Sequence, residues 1–307
     1  MTDVVAALDC GSNSTRLLIA SDAGSSLRRE MRITRLSQGV DASGSLTSDA
    51  LERSYTTLRE YRRFMDEAGV ERGLLVATSA VRDASNGGDF IAKARDVVGV
   101  DAKILSGLEE AQFSYAGATA DLAPDARATL VLDIGGGSTE LAAVLDGVMK
   151  SYSMQLGCVR VTERALGSGV VRPETDARTR EMVNSELDRA WSAVPEFVAL
   201  GGHVRLIGLA GTVATLAQLD AGIVDYDRDV VHHRRLSRET VQHWRDTLAH
   251  ESPAQRLLRP GMVVGREDVL PAGLYVLDAV MERLGVAELL SSENDILDGI
   301  VLSLLSV

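Results

Sequence analysis

Leu8-Asp-Cys-Gly-Ser-Asn-Ser-Thr-Arg-Leu-Leu-Ile-Ala20 decides the fold, because Leu132-Asp-Ile-Gly-Gly-Gly-Ser-Thr-Glu-Leu-Ala-Ala-Val144 repeats it without a gap. Six of 13 positions are identical: Leu8/Leu132, Asp9/Asp133, Gly11/Gly135, Ser14/Ser138, Thr15/Thr139 and Leu17/Leu141. Each copy runs from an apolar stretch (4–8; 128–132) through an Asp and a Gly/Ser/Asn turn into a second apolar stretch. That pattern reads as strand, tight turn, strand, with a turn built for close backbone approach. Two Gly-rich hairpins also resemble one another through turn chemistry alone. The copies begin 124 residues apart, which is the size of a domain, so the expectation is two related α/β domains presenting their hairpins to a shared cleft.

The flanking segments alternate accordingly. Strands are expected over 72–77, 102–105 and 204–207, and helices over 89–97, 108–120 and 213–219. Residues 173–200 read as one mostly helical region. Ala123-Pro-Asp-Ala126 is the best boundary, which gives domains 1–125 and 126–294, and no low-complexity linker interrupts the chain.

Composition narrows the class. With 307 residues, 45% apolar and 25% charged, the chain can bury a large core. No apolar run approaches the length of a membrane span. The N-terminus lacks a secretory pattern, and two cysteines, Cys10 and Cys158, suit a reducing cytoplasm better than a disulfide framework. The net charge of −12 excludes the broad basic surface of a nonspecific nucleic-acid binder. It says little about a site lined by amides and a few arginines, where local groups dominate. Of the 32 basic residues only Lys93, Lys103 and Lys150 are lysines. That bias is either base composition or a preference for guanidinium forks on phosphate oxygens, and only the positions of the arginines decide.

Turns such as Gly11-Ser-Asn-Ser14 and Gly135-Gly-Gly-Ser138 offer successive unobstructed amides, with hydroxyls at Ser14, Thr15, Ser138 and Thr139, for phosphate oxygens. A third turn, 208–212, joins a strand to a helix, where it serves either an anion or close packing. Asp9 and Asp133 end strands just before the hairpins, and Glu140 follows the second. These acids either hold Mg²⁺ beside phosphate or pair with turn amides. Arg16 in one copy against Glu140 in the other suggests a phosphate clamp on one side and a metal holder on the other. Ser106 and Glu109 have capping-box spacing, which leaves Glu110 either solvent-facing or placed to deprotonate an attacking water. Arg82 either stabilises a transferring phosphoryl group or pairs with Asp83 or Asp96. The basic run 228–238 binds a polyanion tail or is a solvated face. No zinc spacing and no nucleophile triad is present.

Together these residues resemble the exopolyphosphatase / guanosine pentaphosphate phosphohydrolase (Ppx/GppA) family of the actin-like superfamily. The likeness runs through residues 8–16, Ala77-Thr-Ser-Ala-Val-Arg82, Ser106-Gly-Leu-Glu-Glu110, Asp133–Glu140, Leu156-Gly-Cys158, 208–212 and Arg266-Glu-Asp-Val-Leu-Pro-Ala-Gly273. It implies an α/β fold of two actin-like (ribonuclease H-like) domains flanking an interdomain cleft, with residues 295–307 returning to the first domain. The helical domain appended in longer members has no room in 307 residues. The implied activity is Mg²⁺-dependent hydrolysis of terminal phosphate from inorganic polyphosphate, or alternatively from guanosine pentaphosphate; a noncatalytic phosphate sensor is the remaining rival. By the same resemblance Glu110 is the base and Arg82 neutralises charge. Asn13, Ser14, Arg16, Gly136, Gly137, Ser138 and Arg266 contact phosphate, and Asp133 and Glu140 hold Mg²⁺. A cytoplasmic homodimer fits the resemblance. Where the family often has Arg before Glu-Gly, this chain has Glu293-Asn-Asp-Ile-Leu-Asp298-Gly299, and no ligand contact is expected there.

Overall fold

A computed structural model describes residues 3–21 and 25–306. Residues 1–2, 22–24 and 307, which the sequence assigns to the first domain, lie outside the described residues. The chain forms two compact units, Met1–Ala120 with Asp295–Val307, and Asp121–Asn294. The first division falls at 120/121, where the sequence puts 125/126.

The first unit is built on a five-stranded sheet of order β3-β2-β1-β4-β5: β1 Val4–Cys10, β2 Ser14–Ser21, β3 Ser26–Ile33, β4 Arg72–Ala77 and β5 Asp101–Ile104. β1, β2 and β3 form an antiparallel meander, and β4 and β5 run parallel to β1. β1 is apolar at almost every position because both of its faces are covered. Ala6 and Leu8 face a core with Leu58, Tyr61 and Phe90, from the helices Ser48–Glu67 and Gly87–Val98. Val5 and Ala7 face the terminal helix Ile296–Leu305 through Ile296, Leu297 and Ile300. The terminal helix therefore belongs to this unit because alternate β1 residues need an apolar cover.

The second unit has the order β10-β11-β9-β6-β7-β8: β6 Thr129–Ile134, β7 Thr139–Leu145, β8 Val148–Met154, β9 Arg205–Leu209, β10 Arg235–Ser237 and β11 Glu288–Ser291. The series β8-β7-β6-β9-β11 repeats β3-β2-β1-β4-β5 strand for strand and direction for direction. The 13-residue repeat is thus the visible part of a duplicated sheet, and β10 is an antiparallel addition at one edge. The core gathers Leu132, Leu141, Leu187, Phe197, Leu216 and Leu277.

Two expectations change. The helical region 173–200 divides into Pro173–Ala193 and Glu196–Leu200, because Pro195 has no amide to donate and keeps Val194 out of helical geometry. The third turn is shorter than 208–212: β9 ends at Leu209 and the next helix, Ala210–Ala221, starts at once, three residues before the expected 213. The bend is taken by Ala210 at φ 64°, a left-handed conformation uncommon outside glycine. The basic residues of the run 228–238 are mostly half-buried and meet acids of their own unit. Arg234 pairs with Asp220 at 2.7 Å, Arg238 with Asp278 at 2.9 Å, and Arg235 with Glu288. Among the described residues no helix is long and apolar enough to cross a membrane.

Candidate active site

In both hairpins the turn closes in the same way. The amide of Gly11 donates to Ser14 O at 3.0 Å, and that of Gly135 to Ser138 O at 3.0 Å. A Cβ on either glycine would stand 3.1 Å from that carbonyl, so only hydrogen fits comfortably. The carbonyls of the first turn face inward: Ser12 O accepts from Ser37, and Asn13 O from Thr34 and Arg35. Asn13 is buried, and its Nδ2 has no acceptor among the described residues; Asp9 Oδ1 is likewise buried without a hydrogen-bond partner. Leaving such atoms unmet costs about 1–3 kcal/mol each. An orphan donor beside a glycine turn suits an oxyanion. Ser14 begins β2, half-buried.

Register makes the duplication chemical. Asp9 lies directly opposite Arg16, and Asp133 directly opposite Glu140. Cross-strand partners share a face of the sheet, so the first pair is an ion pair and the second is two carboxylates. Arg16 donates to Asp9 Oδ2 from Nε at 3.1 Å and from Nη2 at 2.6 Å, and it also pairs with Asp295. Burial raises the Asp9 carboxyl above the usual carboxylate range even against the adjacent Arg16. Asp133 and Glu140 are 7% and 2% exposed, and Glu140 Oε1 accepts from Ser153 Oγ at 2.6 Å.

The second turn is held by the short helix Cys158–Val161. Cys158 N donates to Gly135 O at 2.9 Å, and Val159 N and Arg160 N donate to Gly136 O at 2.9 and 3.1 Å. Gly157 packs so closely that a Cβ there would overlap the backbone of Gly136 and Gly137. The Leu-Gly-Cys motif is therefore a cradle: it occupies the carbonyls of Gly135 and Gly136 and fixes the turn from one side. Asp133 is also the parallel partner of Leu209, which sets the uncapped start of the Ala210–Ala221 helix beside the carboxylate pair. Arg266, buried, lies flat on Gly211, where a Cβ would overlap its guanidinium. Burial pushes the Cys158 thiol up, with Arg266 only partly offsetting it, so Cys158 is a poor nucleophile.

The other acid stands on the helix Gly107–Thr119 of the first unit. Its capping box is complete: Glu109 N donates to Ser106 Oγ at 3.2 Å, and Ser106 N donates to Glu109 Oε2 at 2.9 Å. Lys103 Nζ donates to Glu109 Oε1 at 3.0 Å. With Glu109 so occupied, Glu110 turns inward, 7% exposed. Arg82 Nη1 donates to Glu110 Oε2 at 3.2 Å and to Leu105 O at 2.7 Å. The structure thus joins Arg82 to Glu110, a partner that sequence spacing did not name.

The cap carries its own pH dependence. The Ser106 amide and then Lys103 lower Glu109 from 4.5 to about 2. A depressed carboxylate stabilises the fold above its unfolded value and loses that contribution as pH falls toward the folded value. Glu109→Gln is therefore expected to be less stable than wild type at pH 7, with the difference shrinking between pH 4.5 and 2. Urea midpoints across that range check it, and a gap that stays constant with pH would remove the cap from the account.

One cluster escaped sequence reading because it joins distant segments. Asp121, His232 and His233 form a group of metal-ligand type among the described residues. His232 Nε2 lies 2.8 Å from Asp121 Oδ2, while the Glu293 amide donates to His232 Nδ1 at 3.0 Å. The ring nitrogen that accepts that amide has no proton, so Nε2 carries it toward Asp121. The arrangement is a hydrogen-bonded tie rather than a set of open ligands.

The fold has relatives. The Ppx/GppA phosphatase family model matches residues 18–307. The chain belongs to the Ppx/GppA phosphatase family. Exopolyphosphatase 2 of Mycobacterium tuberculosis is 38% identical over 317 residues, covering 98% of each chain. A crystal structure of an exopolyphosphatase-like protein matches with TM-score 0.91 and 33% identity over 99% of both chains. The Aquifex aeolicus member of the Ppx/GppA family matches with TM-score 0.80 and 28% identity, over 100% of this chain and 98% of its own. Membership makes this chain an enzyme of a phosphatase family with the two-unit α/β fold that the repeat predicted.

Proposed function

We propose that the chain is a cytoplasmic exopolyphosphatase that releases terminal phosphate from inorganic polyphosphate. The observation that carries this reading is Glu110: an inward carboxylate held by Arg82, in a chain 38% identical end to end to an exopolyphosphatase. In the proposed step a water oxygen bonds to the terminal phosphorus and the anhydride P–O bond breaks. The water's proton passes to Glu110, and the bridging oxygen leaves on the shortened chain as a phosphate oxyanion. Asn13, Ser14, Arg16, Ser138 and the amides of Gly136 and Gly137 bind phosphate oxygens, and Arg82 and Arg266 offset the charge of the transferring group.

Asp133 and Glu140 would hold Mg²⁺. Two opposed carboxylates, 7% and 2% exposed, repel unless positive charge or a proton offsets them, and their oxygens suit a hard divalent cation. When bound, Mg²⁺ supplies positive charge to the phosphate oxygens.

Initial rates of phosphate release with Mg²⁺ on long polyphosphate, tripolyphosphate and guanosine pentaphosphate test the reading. Polyphosphate is expected to be the best substrate. Preference for the nucleotide would make the chain a pentaphosphate phosphohydrolase, and saturable polyphosphate binding with no release would make it a sensor.

Gly211→Ala probes Arg266 without touching it. The added Cβ displaces a flexible guanidinium end rather than backbone. The expected outcome is a folded protein with kcat/KM lowered about tenfold or more, roughly 1.4 kcal/mol of transition-state stabilisation. Native activity in a stable Gly211→Ala protein would remove Arg266 from the machinery.

A further inference from the structure

The hairpin of the first unit carries a charge set that hydrolysis by Glu110 does not explain. Arg16 spends Nε and Nη2 on Asp9 and Nη1 on Asp295. Asp295 is buried, and its Oδ1 accepts from Leu297 N at 2.9 Å, capping the terminal helix. Arg29 Nη1 stands 3.6 Å from the same Oδ1 while its Nη2 donates to both oxygens of Asp298 at 2.6 Å. Two guanidiniums thus answer three carboxylates on β1, β2, β3 and the start of the terminal helix. Burial would raise Asp295, but Arg16 and Arg29 outweigh it and hold its carboxyl below the ordinary range.

The duplication gives this set its meaning. Arg16 occupies the register position that Glu140 holds in the second unit. One hairpin opposes its aspartate with a second carboxylate, which calls for a cation. The other opposes it with a guanidinium, which is a cation. Charge already matched by two carboxylates contributes little further attraction for phosphate, so Arg16 is placed to orient rather than to attract.

Asp295 also touches the helix that bears Glu110. Its carbonyl stands where a Cβ on Gly117 would fall, and Gly299 packs equally closely on Phe113 O. The terminal helix and the Gly107–Thr119 helix therefore meet backbone to backbone at two glycines, with Asp295 at one of them.

We propose that Asp295 is a positioning residue. Its carboxylate fixes Arg16 across the first hairpin as a built-in cation, and its backbone sets the Glu110 helix against that hairpin. The activity arm of the test rests on the hydrolase reading above; the spectroscopic arm does not.

The experiment is a double-mutant cycle of Asp295→Asn and Arg16→Met, with Asp295→Glu as the conservative variant. Each single variant is expected to lower kcat at least tenfold with KM for polyphosphate changed less than about threefold, the split expected for an orienting group. The double variant is expected to be no slower than Arg16→Met alone, because both changes break one unit. Asp295→Glu is expected to recover part of the rate. Additive losses, or a fall in KM when Arg16 is released, would overturn the proposal. Independently of activity, the Arg16 Nη1–H resonance, whose donor pairs with Asp295, is expected to exchange slowly in wild type and quickly in folded Asp295→Asn. An unaltered resonance would also overturn it. If wild type releases no phosphate from any substrate, the hydrolase reading fails and this signal still decides the positioning claim.

Discussion

Glu110→Gln is expected to lower phosphate release from polyphosphate by about 10²–10⁴-fold, the range that a positioned general base contributes. Glutamine keeps the length of the side chain and an oxygen for the Arg82 Nη1 that now donates to Glu110 Oε2. Substrate binding should therefore stay near native while the proton acceptor is lost, so the effect falls on kcat and leaves KM within about twofold. Stability should change little, since the helix start is capped by Ser106 and Glu109 and not by Glu110. The control is Glu109→Gln, which removes the neighbouring acid and should affect the fold but not the rate. A Glu110→Gln protein hydrolysing polyphosphate at the native rate would leave the chain without a base.

The second large effect is structural. Arg256 is completely buried and donates to backbone carbonyls, with Glu251, Asp268 and Glu267 near enough to favour its charge. Nε donates to Leu248 O at 2.9 Å, Nη1 to Ser168 O and Glu267 O at 2.9 Å, and Nη2 to Gly169 O at 2.8 Å. Burial lowers its pKa below the ordinary arginine value. One guanidinium thus ties three segments together, one of them adjacent to Arg266. Arg256→Leu removes four hydrogen bonds; Leu248 O keeps the Glu251 amide, and Ser168 and Gly169 lie at the surface, while the ties between the three segments are lost. At roughly 1 kcal/mol per lost bond the expected loss is about 4 kcal/mol, a large share of a domain's total of about 5–15 kcal/mol. A urea midpoint shifted strongly downward at unchanged slope checks it. Arg256→Lys should recover part of the loss, because an ammonium reaches fewer of the carbonyls. A midpoint within experimental error of wild type would show that water replaces the guanidinium at no cost.

Much of this was legible in the chain because it is local. A repeat of 13 residues fixes strand, turn and strand through short-range rules of apolar alternation and glycine, and the Ser106/Glu109 cap needs only a spacing of three. β4 runs over the residues that its pattern marks, Arg72–Ala77. The pattern 208–212 signals a turn but not its length, because nothing local announces an alanine at φ 64°; surrounding packing holds it there.

The sequence by itself determined that the protein is duplicated, which acids and arginines accompany its glycine turns, and which family it belongs to. Its net charge of −12 excluded a basic surface. Only the tertiary structure decided which charges meet. Asp9 opposes Arg16 and Asp133 opposes Glu140 through strand register. Arg82 finds Glu110, Arg16 finds Asp295, and Arg266 lies on Gly211. These partners are brought together by sheet pairing and helix packing, and no spacing rule along one chain contains that information. The physical reason is that backbone preference is a property of a few neighbouring residues, whereas the strength of a charge depends on what the fold buries beside it.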